Sequence, residues 1–143
     1  MSDLIMTRLT SKDDPDLPLM RETLMSERFI SIDGDAYFDY VTGTENVYFY
    51  AVRKDGRLAA VLQAEPSGGV LSLMLTVMPG MRRRGIGRAV ITEICRRLPE
   101  FGCSVAEAAI DPANGPSLRL FESCGFLKRS EEDGLEIWVY DHE

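Results

Sequence analysis

Several residue types that would define a protein class are scarce in this chain of 143 residues. Its three cysteines, Cys95, Cys103 and Cys124, are too far apart to form a CxxC pair. With a single histidine, His142, the chain also lacks the spaced cysteine and histidine ligands of a zinc site. No apolar run approaches the roughly 20 residues that a membrane helix needs, and the N-terminal segment lacks the basic and apolar regions of a signal peptide. We therefore expect reduced cysteines, two of them buried, in a cytoplasmic protein with no metal site and no membrane partner.

An excess of positive charge is also absent. Lysine and arginine number 16 and aspartate and glutamate 23, which gives a net charge of −7. This balance disfavours a general nucleic-acid binder and suits cationic partners. Hydrophobic residues at 45% and charged residues at 27% are the proportions of an ordinary globular domain. The length predicts a single domain over residues 1–143 with a hydrophobic core of its own.

The pattern of apolar residues and turn signals predicts a mixed α/β fold. Apolar residues spaced three or four apart predict helices, and β-branched or aromatic runs bounded by glycine turns predict strands. The predicted helices are 17–29, 33–43, 86–98 and 117–124, and the predicted strands are 4–8, 47–52, 58–64, 70–78, 103–110, 126–129 and 135–140. Strand 70–78 is apolar on both faces, which predicts a central position in the sheet.

The segment between this central strand and the next helix carries the strongest chemical signal. Its sequence is Arg82-Arg83-Arg84-Gly85-Ile86-Gly87-Arg88. Free N–H groups at a helix start, glycines that admit close approach and several positive charges are typical of a diphosphate cradle. A P-loop requires Gly-Lys-Ser/Thr and a dinucleotide fingerprint requires a third glycine, and this segment has neither. A solvated basic turn is the alternative interpretation.

This segment resembles the Gln/Arg-x-x-Gly-x-Gly/Ala signature of the GCN5-related N-acetyltransferase (GNAT) family. Residues 114–126 give a second match, because they are similar to the family's Asn-x-x-Ala…Tyr-Glu-x-x-Gly-Phe segment. The predicted order of helices and strands fits the family over nearly the whole chain. The resemblance implies an α/β fold with a mixed, mostly antiparallel central sheet flanked by helices. It also implies that the two middle strands splay apart to admit acetyl-CoA, the cosubstrate.

The resemblance further implies which residues hold acetyl-CoA. The pantetheine arm would pair with the main chain of the central strand, and the diphosphate would lie on the N–H groups of the glycine-containing segment. These residues are Leu75, Thr76 and Val77 for the arm, the run from Arg82 to Arg88 for the diphosphate, and Asn114, Ser117 and Phe121 beside the arm. Recognition of this kind resembles the addition of a strand to an open sheet edge.

Phe121 departs from the family pattern, which places at this position a tyrosine that protonates the departing thiolate. A phenylalanine side chain has no proton to give. Three consequences stay open: the thiolate, whose conjugate thiol has a pKa of about 8.5, leaves unaided; another group substitutes; or the protein binds acetyl-CoA without efficient turnover. Cys124, three residues further along the same helix, is a candidate substitute acid, with a small core residue as the alternative.

Acetyl transfer to an amine requires a neutral nucleophile, whereas a lysine-like amine is almost entirely protonated at pH 7. A carboxylate, acting directly or through water, removes that proton. Glu65, Glu107 and Asp111 lie near the predicted cleft and are the candidates. Each has a structural alternative, which is a solvent-facing strand residue for Glu107, a turn-side charge for Glu65 and turn formation for Asp111. A backbone N–H near Thr76 is the candidate donor to the oxyanion.

The sequence thus predicts an acetyl-CoA-dependent N-acetyltransferase that acts on a primary amine of a small molecule or a protein. The alternative is an acyl-CoA-binding regulatory or partner-binding module with weak or no catalysis, and Phe121 is the residue that supports it. The acceptor amine is not specified by the sequence. A homodimer formed through the final strands is an expectation from the resemblance alone.

Overall fold

The computed structural model describes residues 4–30 and 32–142. Within these ranges the strands are β1 (Leu4–Arg8), β2 (Tyr48–Lys54), β3 (Arg57–Ser67), β4 (Val70–Val77), β5 (Val105–Ile110), β6 (Leu127–Glu132) and β7 (Leu135–Asp141). The α-helices there are α1 (Leu17–Ser26), α2 (Gly34–Gly43), α3 (Ile86–Arg96) and α4 (Gly115–Ser123). Short 3₁₀ turns at Pro79–Met81 and Leu98–Phe101 precede and follow α3.

One sheet contains all of these strands, in the order β1-β2-β3-β4-β5-β7-β6. Every neighbouring pair is antiparallel except β4 and β5, which run parallel. β4 is the central strand of the seven, as its two apolar faces predict. The mixed, mostly antiparallel α/β sheet expected from the sequence is therefore confirmed.

The parallel pair β4–β5 is joined over only part of its length. Pairing ends where Ser72 lies opposite Glu107. β4 then continues beside β3 as far as Val77, and β5 continues beside β7 as far as Ile110. Because each strand keeps its outer partner but loses its inner one, the sheet opens between them. This opening is the splayed strand pair that the family resemblance implies.

Helices cover both faces of the sheet. On one face the Tyr37 hydroxyl of α2 donates to Gln63 of β3 at 2.6 Å. On the other face α3 packs closely on α4 and β4, since a Cβ placed on Gly87 would lie 3.0 Å from Leu120 and 3.6 Å from Val77. Gly87 therefore serves helix packing, because a Cβ at this position would crowd Leu120 of α4, whereas its distance to Val77 would be an ordinary contact. Two layers of helix thus fix the sheet on either side of its opening.

Helix α1 ends at Ser26, three residues before the end predicted from the apolar pattern. The Ser26 hydroxyl donates to the Thr23 carbonyl at 2.9 Å, and the Glu27 N–H donates to the Leu24 carbonyl at 3.3 Å. Glu27 is already extended, with φ −75° and ψ 131°. No glycine or proline marks this end, so the residues around it carry no helix stop signal. The early end releases residues 27–30, here called the α1–α2 segment.

The cysteines are free thiols, with Cys95 and Cys103 buried and Cys124 half-buried, as the sequence predicts. Burial, and to a lesser extent the neighbouring Cys124, raises the pKa of Cys95 to about 12. No described helix is long and apolar enough to cross a membrane.

Candidate active site

A cleft of about 140 Å³ lies where β4 and β5 part. Its walls are the unpaired ends of both strands, the α1–α2 segment and one side of α4. The residues named from the sequence that line it are Leu75, Thr76, Asp111, Asn114, Ser117 and Phe121. Residues from four separate parts of the chain therefore meet at one opening in the sheet.

The open edge of β4 brings main-chain polar groups to this cleft, because β5 no longer pairs with β4 beyond Ser72. The side chain of Thr76 adds a further polar group. Thr76 is 4% exposed, and its hydroxyl has no hydrogen-bond partner among residues 4–30 and 32–142. Buried polar groups in proteins are normally paired. The edge is thus suited to an extended ligand that offers its own amide groups.

The connection from β4 to α3 presents a row of free N–H groups. Arg83 and Gly85 have left-handed backbones, with φ of 63° and 75°. Left-handed residues next to right-handed ones turn successive N–H groups toward one side, which makes a concave anion site. Across the part of the chain that the structure describes, no acceptor takes a hydrogen bond from the N–H groups of residues 82–88. We call these groups the nest.

Charge and space also suit an anion at the nest. Arg82, Arg83, Arg84 and Arg88 are exposed, and a Cβ on Gly85 would meet no atom within 4 Å. The nest includes the first turn of α3, which starts at Ile86, so the positive end of the helix dipole adds to the field. A diphosphate, with oxygens for several donors, matches this arrangement.

Asn114 holds the start of α4 beside the cleft. Its side-chain oxygen accepts the Ser117 N–H at 3.3 Å, which is a helix cap. The cap leaves the amide NH₂ of Asn114 as a donor at the cleft wall. Further along α4, Phe121 is 4% exposed and packs edge-on against Phe126 with ring centroids 5.0 Å apart. The helix thus presents an amide and an aromatic ring, but no phenol, to the opening.

Asp111 is the one candidate base that lines the cleft. It directly follows β5, and its Oδ1 accepts the Ala113 N–H at 2.8 Å. This contact forms a turn and leaves the second carboxylate oxygen for another partner. Cys124 lies at the end of α4 and is not part of the cleft lining.

Glu65 and Glu107 flank Ser72 in register, so all three side chains lie on the sheet face that α2 covers. Both carboxylates have partners. Glu65 accepts the Tyr40 hydroxyl at 2.7 Å, and this hydrogen bond raises the pKa of Tyr40. Glu107 pairs with Arg129 at 3.2 Å. Neither glutamate belongs to the cleft lining, so direct proton transfer would require a bridging water or a shift of the side chain.

The α1–α2 segment supplies lining residues that the sequence did not indicate, namely Glu27, Phe29 and Ile30. Glu27 Oε2 lies 2.9 Å from Arg82 Nη2, although 55 positions separate the two residues. The sequence pattern assigned Glu27 and Phe29 to helix α1. The premature end of that helix was the missing information, and no local signal marks it. Among the described residues, no cluster of three or more potential metal ligands occurs.

Comparisons with known proteins agree with this architecture. Residues 14–126 match the family model described as the acetyltransferase (GNAT) family. The search of curated protein sequences gives no match.

The GNAT domain of S. lividans PAT superposes with a TM-score of 0.80 at 19% identity, covering 95% of this chain and 89% of that one. The ribosomal-protein-S18-alanine N-acetyltransferase from Escherichia coli gives 0.77 at 18% identity, covering 98% and 94%. Campylobacter jejuni N-acetyltransferase PseH gives 0.78 at 14% identity, covering 99% of both chains. At sequence identities this low, the superpositions show that the fold is shared and show nothing about substrates.

Proposed function

The chain belongs to the acetyltransferase (GNAT) family, and we propose that it transfers the acetyl group of acetyl-CoA to a primary amine of a small molecule or a protein. The observation that carries this proposal is the open edge of β4 leading directly into the nest. Coenzyme A matches this arrangement, because its pantetheine arm would lie on the edge of β4 and the adjoining diphosphate would lie on the nest that follows. We expect the whole chain to act as one domain in the reducing cytoplasm, where its three thiols stay free.

The residues that would hold acetyl-CoA divide into three groups. Main-chain groups of Leu75 and Val77, which point away from β3, pair with the amides of the arm, whereas the main chain of Thr76 faces β3 and its hydroxyl, unpartnered among the described residues, is the group it offers. The nest binds the diphosphate through N–H donors and the arginine charges around them. Asn114 donates its amide protons toward the arm, and Ser117 lies one helical turn further on. Acetyl-CoA supplies an activated thioester when bound, which is the chemistry that amide formation needs.

Other residues of the chain prepare the acceptor. Asp111 receives a proton from the ammonium form of the amine, because its carboxylate lines the cleft. Glu65 adds negative charge beside the cleft and draws a cationic acceptor toward it, whereas the charge of Glu107 is offset by Arg129. A main-chain N–H near Thr76 donates to the negative charge that develops on the acyl oxygen. Phe121 excludes water from the α4 side without offering a proton.

Phe121 also favours the second candidate function, an acyl-CoA-binding module with weak or no catalysis. A buried ring that packs on Phe126 replaces the phenol which the family pattern contains. General acid catalysis is worth roughly 10²–10⁴-fold, so its loss slows turnover without removing it. The two functions differ in turnover and share the same binding site.

Thiol release from acetyl-CoA in the presence of an amine panel distinguishes the two functions. The panel contains diamines, α-amino acids, amino sugars and peptides with free N-termini, and mass spectrometry identifies the acetylated product. We expect release that depends on the amine. Saturable acetyl-CoA binding in calorimetry with no release for any amine would support the binding module. Absence of acetyl-CoA binding would contradict both functions.

A further inference from the structure

A side-chain bridge joins the nest to the opposite wall of the cleft. The Arg82 guanidinium donates through Nη2 to Glu27 Oε2 at 2.9 Å and through Nε to the Val77 carbonyl at 3.2 Å. Val77 is the last residue of β4, and Glu27 is the first residue beyond α1. One guanidinium therefore connects the end of the open strand edge, the first residue of the nest and the α1–α2 segment.

The geometry of arginine suits this role. A guanidinium is planar and carries donors in a fixed fork, so two contacts made from different nitrogens also fix its direction. A lysine ammonium has no such fork and would hold Glu27 without holding Val77 in a defined orientation. The position of Glu27 relative to β4 thus depends on the shape of the Arg82 side chain as well as on its charge.

Apart from Ile30, which packs against the hydrophobic core, the α1–α2 segment has few contacts with the described residues that fix its position. Its main-chain hydrogen bonds are long, 3.3 Å from the Glu27 N–H to Leu24 and 3.4 Å from the Ile30 N–H to Glu27. Phe29 is exposed and Ile30 is half-buried, although both line the cleft. The Glu27 and Arg82 side chains are 26% and 49% exposed, and a pair this accessible contributes little to global stability. The Glu27–Arg82 pair therefore acts mainly by setting the position of the α1–α2 segment.

We propose that Arg82 and Glu27 are positioning residues that couple the two halves of the cleft, so that a ligand which orders the nest also fixes the α1–α2 segment. This inference rests on the proposed function, because it requires coenzyme A on the nest. Its consequence is that the acceptor wall is better ordered when the cosubstrate is bound. Coupling of this kind is reciprocal, so an acceptor that fixes the segment also tightens cosubstrate binding.

Hydrogen exchange measured by mass spectrometry tests the coupling without an acceptor. The probe is coenzyme A at saturation, which calorimetry verifies for each variant, and the readout is amide exchange in residues 27–30. In the wild-type protein we expect coenzyme A to slow this exchange by roughly fivefold or more, the lower end of usual coupling factors. Glu27→Gln, which keeps the shape and removes the charge, is expected to lose the slowing. Arg82→Lys is expected to keep part of it and Arg82→Gln none.

Asp35→Asn is the matched control, since it breaks the 2.6 Å ion pair from Arg21 of α1 to Asp35 of α2, and neither residue belongs to the nest. We expect this variant to keep the full slowing. Undiminished slowing in Glu27→Gln would overturn the inference, because the segment would then sense coenzyme A directly. Faster exchange on binding in the wild type would also overturn it, because the diphosphate would then be drawing Arg82 away from Glu27. If calorimetry shows that the wild type does not bind coenzyme A, the proposed function is wrong, and this inference is wrong with it.

Discussion

The two sides of the cleft are built by different means. The side that we propose for the cosubstrate consists largely of main-chain groups, namely the open edge of β4 and the nest. The side that we propose for the acceptor consists of side chains, Glu27 and Phe29 after α1 and Asp111 after β5. Backbone shape is specified by a short run of residues, whereas a wall of side chains depends on where distant segments meet. For that reason a motif predicts the first side and gives little information about the second.

The largest effect is expected from a charge placed in the nest. Gly85 and Gly56 both have positive φ, 75° and 78°, with no atom within 4 Å of an added Cβ. Gly85→Asp adds backbone strain and repels a diphosphate, so we expect the acetyl-CoA Kd to rise roughly 100-fold, about 2.7 kcal/mol. Gly56→Asp makes the same change in the β2–β3 turn, where we expect a change within about twofold, as for a remote surface residue. Equal affinities in calorimetry would remove the nest assignment.

A smaller effect is expected at the α4 wall. Phe121→Tyr adds a phenol to a ring that lines the cleft. Since general acids contribute roughly 10²–10⁴-fold and a thiolate already leaves tolerably well, we expect kcat for thiol release to rise about tenfold. Phe121→Leu is the comparison without a hydroxyl, and it is expected to give no rise. An unchanged kcat in the tyrosine variant would mean that thiolate departure does not limit turnover.

Asn114 allows its capping role and its proposed binding role to be tested separately. Asn114→Asp keeps an oxygen for the Ser117 N–H and removes the amide donors. We expect nearly unchanged thermal stability and an acetyl-CoA Kd raised about fivefold, roughly the worth of one hydrogen bond. Asn114→Ala removes both functions and is expected to cost a further ~1 kcal/mol of unfolding free energy. Normal binding by the aspartate variant would restrict Asn114 to helix capping.

The smallest effect is expected at Cys124, which lies outside the cleft lining. Cys124→Ala removes the thiol proton, and we expect kcat to change by less than about twofold at every pH of the assay, as for other substitutions that avoid the site. A pH-dependent loss of kcat would instead assign an acid role to this thiol.

Burial raises the pKa of Cys95 to about 12, so alkylation of the folded protein should label Cys124 well before Cys95.

The sequence predicted the first side of the cleft better than the second. Helix α3 begins at Ile86 as predicted, because Gly85 takes the left-handed conformation that precedes it. The family resemblance and the splayed sheet are confirmed. The end of α1 was predicted wrongly, since Glu27 leaves the helix where no breaker residue occurs. The partner of Glu27 is Arg82, and no local pattern connects residues so far apart.

Residue order alone predicted the family, most of the helices and strands, and a glycine-containing anion cradle before α3, because turns, caps and apolar spacing act over a few neighbouring residues. Packing of the folded chain settled the rest: the insertion of β7 between β5 and β6, the end of β4–β5 pairing after Ser72, and the contact of Glu27 with Arg82. Each of these depends on surfaces that come together only once the helices cover both faces of the sheet. Long-range contacts are set by the sum of many weak interactions, and no single stretch of sequence encodes that sum.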